Sequence, residues 1–93
     1  MIRDVRLSRL AQKQLVKMPQ HVVSKLKAWI DAVEVEGLEE VRKIPGYHDE
    51  PLRGPRSGER SIRLSKSYRA IYAIRRDRTI EFVLIEEVNK HDY

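Results

Sequence analysis

The hydrophobic period changes once along this chain, and that change constrains the fold more than any other feature. Between residues 9 and 36 apolar side chains return every three or four positions; between residues 60 and 88 they alternate or run unbroken. The first spacing lines one face of a helix, and the second lines one or both faces of a strand. Helices followed by a run of strands predict an α+β domain, with the helices burying their apolar stripe against one face of a sheet.

Ile2, Val5 and Leu7 predict a strand over residues 2–7, after which Ser8 can cap a helix by accepting a backbone N–H bond. Leu10, Leu15, Val16 and Met18 supply that helix's apolar side, while Arg9, Lys13 and Lys17 recur every fourth residue and stack along another. Such a stripe is either a solvated face or a phosphate-binding one. Pro19 stops the helix, having no N–H to give. Val22, Leu26, Trp29, Ile30 and Val33 predict a second helix over residues 20–36, which Gly37 can end in the left-handed conformation. Residues 38–44 can add a short helical turn. Residues 45–58 hold turn formers and form the longest irregular stretch, the kind that often carries function.

Period two then predicts strands over residues 60–65, 68–75 and 80–88, joined by short turns into an antiparallel meander. Phe82 to Ile85 is apolar without a break, as in a central strand covered on both faces. The expected architecture is the N-terminal strand and a helical hairpin packed on one face of a mainly antiparallel four-stranded sheet, in one domain spanning residues 1–93. Ile62, Leu64, Tyr68 and Ala70 claim the core side, so Arg63 and Arg69 fall on the uncovered face, a plausible phosphate site. Trp29, Tyr68 and Tyr72 read as core, and His21 as structural.

Nineteen Lys and Arg oppose fourteen Asp and Glu, a net charge of +5. A basic surface on so small a domain points to a polyanion, nucleic acid first. With no cysteine, disulfides, thiolate metal sites and cysteine nucleophiles are excluded, and a reducing cytoplasm fits. His21, His48 and His91 lack the spacing of a zinc motif, so neither metal nor cofactor is expected. The N-terminus lacks the apolar run of a signal peptide and no stretch is long enough to span a bilayer, so no membrane partner is expected.

Three segments carry a resemblance. Glu50-Pro51-Leu52-Arg53-Gly54, Arg60-Ser61-Ile62-Arg63-Leu64 and Tyr68-Arg69-Ala70-Ile71-Tyr72 together resemble the RelE and ParE toxin superfamily over nearly the whole chain. The tail Asn89-Lys90-His91-Asp92-Tyr93 turns the likeness toward its RNA-cleaving branch, with YoeB and HigB toxins as near relatives. The resemblance implies a RelE-like fold and the toxin of a type II toxin–antitoxin pair. It implies a ribosome-dependent, metal-independent endoribonuclease that cuts messenger RNA by attack of a 2′-hydroxyl on the adjacent phosphate. Such a reaction needs a base, cations for the phosphate and an acid for the leaving oxygen.

Carried over by position, Glu50 matches the general base, Arg69 the arginine on the scissile phosphate, Arg63 a basic residue of the second strand, and Arg53 the basic residue after Pro-Leu. His91 and Tyr93 resemble the His-Tyr terminus of YoeB-type toxins, although Asp92 separates them here. Glu50, His48 and His91 are the three candidates for the base. Lys90, Arg9, Lys13 and Lys17 are candidate phosphate contacts, with Lys25 and Lys27 beside them. The implied partners are a cognate antitoxin, the ribosome with its RNA, and messenger RNA. The antitoxin would lie over Arg63 and Arg69 or displace the His91–Tyr93 tail. The alternative is a ParE-like inhibitor of DNA gyrase, which would need none of these catalytic groups, and the same fold hosts both.

Overall fold

The computed structural model describes residues 1–90. Five strands form one sheet in the order β1-β5-β4-β3-β2. They are β1 (Val5–Leu7), β2 (Glu50–Pro51), β3 (Glu59–Arg63), β4 (Tyr68–Asp77) and β5 (Ile80–Lys90). The helices are α1 (Arg9–Val16), α2 (Gln20–Glu36) and α3 (Leu38–Val41). β3, β4 and β5 form the expected antiparallel meander, while β1 lies parallel to β5, Val5 facing Val83 and Leu7 facing Ile85. The sheet has five strands rather than four. The added one, β2, is only two residues long and lies at the edge, where Pro51 has no N–H to extend the ladder. So short a strand carries no readable alternation.

Ser8 does more than cap α1. Its Oγ accepts from the Ala11 N–H at 3.0 Å and donates to the Glu86 carbonyl at 2.6 Å, fastening the helix start to β5. Gln14 Oε1 accepts from the Val88 N–H at 2.7 Å and holds the same helix further along. The buried face of α1 is Ala11, with Leu15 and Met18 half-buried; Leu10 and Val16, expected inside, are exposed. Ala11, Leu15 and Met18 share one face at spacings of four and three, and the two larger side chains fall outside it. Val22, Leu26, Trp29 and Val33 of α2 pack on Ile62, Ala70, Tyr72, Val83, Ile85 and Val88 of the sheet. The Trp29 and Tyr72 rings lie 5.3 Å apart at the centre of that core. Gly37 ends α2 with φ +89° and ψ 150°, so its φ is positive as expected but its ψ is extended rather than left-handed helical. A Cβ there would also meet Met1 Cγ at 2.6 Å.

A β-bulge at Glu86 decides which residues face outward at the end of β5. Ile71 pairs with Glu87 and Tyr72 with Ile85, so Glu86 is the extra residue. Strict alternation from Ile85 would have turned Val88 outward. The bulge resets it, burying Val88 and aligning Asn89 with Arg69 on the opposite face. That face is less open than its alternation suggests. Ile71, Ala73 and Phe82 are buried there outside the main core, Phe82 beneath the Arg6 guanidinium at 3.9 Å from its ring centroid. Among the described residues no helix is long and apolar enough to cross a membrane.

Candidate active site

The irregular stretch before β3 is built around one buried carboxylate. The Asp49 side chain, 1% exposed, accepts from Arg60 Nε at 2.5 Å and from the Tyr72 hydroxyl at 2.6 Å. The Arg42 Nε donates to the same hydroxyl at 3.3 Å. Burial and then the Asp49 bond push the Tyr72 phenol well above its usual range, so Tyr72 remains a donor. The network ties the loop, β3, β4 and the residue after α3 together. Its two flanking neighbours are His48 and Glu50. His48 is held at φ +46°, an uncommon conformation for a residue with a Cβ, at the end of the single turn Pro45–Tyr47. Glu50 enters β2 opposite Ser61.

A cavity of about 310 Å³ opens beside this network, lined by His48, Glu50, Leu52, Ser61, Ile62, Arg63, Tyr68 and Arg69. It joins four expected candidates: Glu50, Arg63, Arg69 and His48. Arg63 and Arg69 are direct partners across β3 and β4, and Asn89 continues the row on β5. Asn89 Oδ1 accepts from Arg69 Nε at 3.4 Å and its Nδ2 donates to Glu87 Oε1 at 3.1 Å. Arg69 is thus held through Nε, with its terminal nitrogens unbonded among the described residues. Those nitrogens form a fork suited to a phosphate. The site therefore pairs exposed Glu50 with two guanidiniums on one concave surface.

Tyr68, read as core, is half-buried and lines the cavity, its ring meeting His21 edge-on at 6.5 Å. Sequence reasoning misses Asp49, whose only local signal is a carboxylate in a Pro- and Gly-rich loop, and takes Asn89 only as part of the tail motif, because its contact with Arg69 depends on the bulge. Arg53 is exposed and does not line the cavity. Lys90 pairs with Tyr68 in the ladder and is exposed outside it. Arg9, Lys13 and Lys17 are exposed on and just after α1, apart from the cavity. His91 and Tyr93 lie outside the described residues.

A second electrostatic device closes the neighbouring part of the face. Arg56, on the turn Gly54–Arg56, bonds Glu59 at 2.9 Å and Glu87 at 2.8 Å. The Arg56 hydrogen bond holds Glu59 below the usual carboxylate range, while burial and the Glu59 charge push Glu86 above it. The acids here are matched to Arg56 and Arg75, whereas the cavity rim at Arg63 and Arg69 is basic.

No protein-family model matches the sequence, nor does any curated protein. Solved structures do. The toxin–antitoxin complex DinJ-YafQ of E. coli contains a chain similar to this one, with TM-score 0.72 and 20% identity over 98% of this chain and 94% of that one. The YoeB/ParE toxin from Agrobacterium tumefaciens matches with TM-score 0.68 and 15% identity over 96% and 99%. The toxin–antitoxin complex RelBE2 of Mycobacterium tuberculosis matches with TM-score 0.58 and 25% identity over 95% and 96%. Strand order, the helical pair on one face and these matches agree: the chain has the fold of the RelE/YoeB-like toxins.

Proposed function

We propose that this chain is the toxin of a type II toxin–antitoxin pair and acts as a ribosome-dependent endoribonuclease on messenger RNA. The observation that carries the reading is the cavity in which Glu50, Arg63 and Arg69 converge. A gyrase-binding poison has no need of a carboxylate and two guanidiniums around one hollow.

In the proposed reaction Glu50 takes the proton of a 2′-hydroxyl as its oxygen attacks the adjacent phosphorus. The bond from phosphorus to the 5′-oxygen breaks, and that oxygen takes a proton from an acid, for which His91 and Tyr93 are the candidates. The products are a cyclic phosphate and a free 5′-hydroxyl. Arg69 and Arg63 bind the non-bridging oxygens as charge builds on them. Asn89 keeps Arg69 directed, and the Asp49 network keeps Glu50 in register opposite Ser61. The same basic rim suits an acidic antitoxin segment, which would inhibit by covering Arg63 and Arg69 or by displacing residues 91–93.

The test is induction in bacteria with mapping of messenger RNA 5′ ends, followed by cleavage of ribosome-bound RNA with purified, folded variants. Clustered cuts in translated RNA that vanish with Arg69→Ala and diminish with Glu50→Ala and His91→Ala are expected. DNA breaks with intact RNA would replace this reading with the gyrase-poison one, and parental cleavage by both Arg69→Ala and His91→Ala would overturn the assignment of the active site.

A further inference from the structure

Arg63 is a wall shared by two cavities. On one side lies the candidate active site; on the other lies a hollow of about 290 Å³ between α2 and the turn joining β3 to β4, lined by Lys25, Gly46, Arg63, Leu64, Ser65 and Lys66. Three of these six residues are cationic and none is acidic. The cations stand on a fixed frame. Lys25 Nζ rests 4.8 Å above the ring of buried Tyr47, a cation–π contact that holds its stem at the rim. The turn carrying Lys66 is closed by Leu64 N–H and Ser65 N–H, both donating to the Tyr68 carbonyl, and by Ser67 N–H donating to Ser65 Oγ at 3.3 Å. Tyr68 lines the first cavity, so the two hollows share a backbone anchor as well as a guanidinium.

We propose that this second hollow is a subsite for a neighbouring phosphate of the same single-stranded RNA, so that the strand runs from Arg69 across Arg63 to Lys25 and Lys66. The inference rests on the ribonuclease reading. It assigns Lys25 to a pocket with Lys66 rather than to the α1 stripe of Arg9, Lys13 and Lys17. Continuity favours RNA over an acidic peptide. A polynucleotide carries charges at regular intervals along one strand, and adjoining hollows that share one arginine offer such a strand successive cationic contacts. Gly46 offers a built-in probe. A Cβ at this position meets nothing within 4 Å, so Gly46→Glu adds a carboxylate to the lining of the hollow from a position with open space.

The experiment uses the full chain and a fluorescein-labelled RNA heptanucleotide with 2′-O-methyl groups throughout, which cannot undergo attack, alongside the corresponding dinucleotide. Binding is followed by anisotropy between about 50 and 200 mM salt. Lys25→Ala/Lys66→Ala is expected to lower the slope of log affinity against log salt by about 0.7, one single-strand phosphate, and to weaken heptanucleotide binding about fivefold at ~0.1 M salt. Gly46→Glu should weaken it further, and the loss should appear with the heptanucleotide and not the dinucleotide. An unchanged slope in both variants, while Arg69→Ala still weakens binding, overturns the subsite and leaves the function standing. Equal losses on both lengths overturn it too. So does polyglutamate binding that Lys25→Ala/Lys66→Ala weakens while heptanucleotide binding stays unchanged, which would assign the hollow to an acidic peptide. Failure of the parent chain to bind the heptanucleotide overturns the subsite as a site for single-stranded RNA, while the ribonuclease reading stands or falls on cleavage of ribosome-bound RNA.

Discussion

Replacing Asp49 by Ala tests whether one buried carboxylate organises the site. The side chain is 1% exposed and accepts bonds from Arg60 at 2.5 Å and Tyr72 at 2.6 Å. Removing one partner of a buried ion pair typically costs about 3–5 kcal/mol, mostly because the other charge is stranded. Arg60 retains 26% exposure, so water recovers part of its solvation. Tyr72 meanwhile loses its acceptor inside the core, a hydroxyl penalty of about 1–3 kcal/mol. The net loss expected for Asp49→Ala is about 2–4 kcal/mol. At about 4–8 °C per kcal/mol for a domain of this size, Tm should fall by about 10–30 °C. Tyr72→Phe removes the hydroxyl but leaves the ion pair, and about 1–2 kcal/mol is expected. Urea denaturation of both single variants and the double variant, followed by circular dichroism, measures these quantities. The double variant should lose less than the sum, because both changes delete the same bond. A loss below about 1 kcal/mol for Asp49→Ala, or strict additivity, would refute the role given to this network.

Arg69→Ala should lower cleavage by about a hundredfold to a thousandfold with folding intact, and Arg69→Lys should restore only part, since an ammonium cannot reproduce the planar fork; single-turnover rates on ribosome-bound RNA decide this, and full rescue by lysine would count against bidentate contact. Glu86, raised by burial and by Glu59, binds its proton more tightly when folded, so its contribution weakens the fold as pH rises from the ordinary carboxylate range through its raised folded value. Glu59, lowered chiefly by the Arg56 hydrogen bond, contributes in the opposite sense: its stabilisation is present above the unfolded pKa and is lost as pH falls through the lowered folded value. Glu86→Gln should therefore raise the urea midpoint at neutral pH and flatten stability over Glu86's window; a lower midpoint would contradict the assignment. Reversing the charges of Arg9, Lys13 and Lys17 together should weaken ribosome binding and shallow its salt dependence, and unchanged binding would return that stripe to a solvated face. A cognate antitoxin should shield Arg63 and Arg69 from solvent in hydrogen–deuterium exchange or footprinting, or perturb residues 91–93; protection confined elsewhere would defeat the proposed mode of neutralisation.

Local periodicity carried most of the architecture. The helical stripe of Val22, Leu26, Trp29 and Val33, the Ser8 cap, the stop at Pro19 and the alternation of the three long strands each depend on residues within a few positions of one another. The backbone conformations they select are decided locally. The same alternation put Arg63 and Arg69 on one face, and the structure pairs them across adjacent strands. The motif around Glu50 drew attention to the loop that lines the cavity. What could not be read depends on partners far away in sequence. Asp49 meets Tyr72 across 23 positions, Arg56 meets Glu87 across 31, and Ser8 meets the Glu86 carbonyl across 78. The two-residue β2 exists only because β3 offers it an edge, and Asn89 reaches Arg69 only because a bulge at Glu86 reverses the facing of the last strand residues. Sequence pattern specifies which residues can share a face. Register, bulges and buried ion pairs settle which of them meet, since their energies exist only once distant segments have packed.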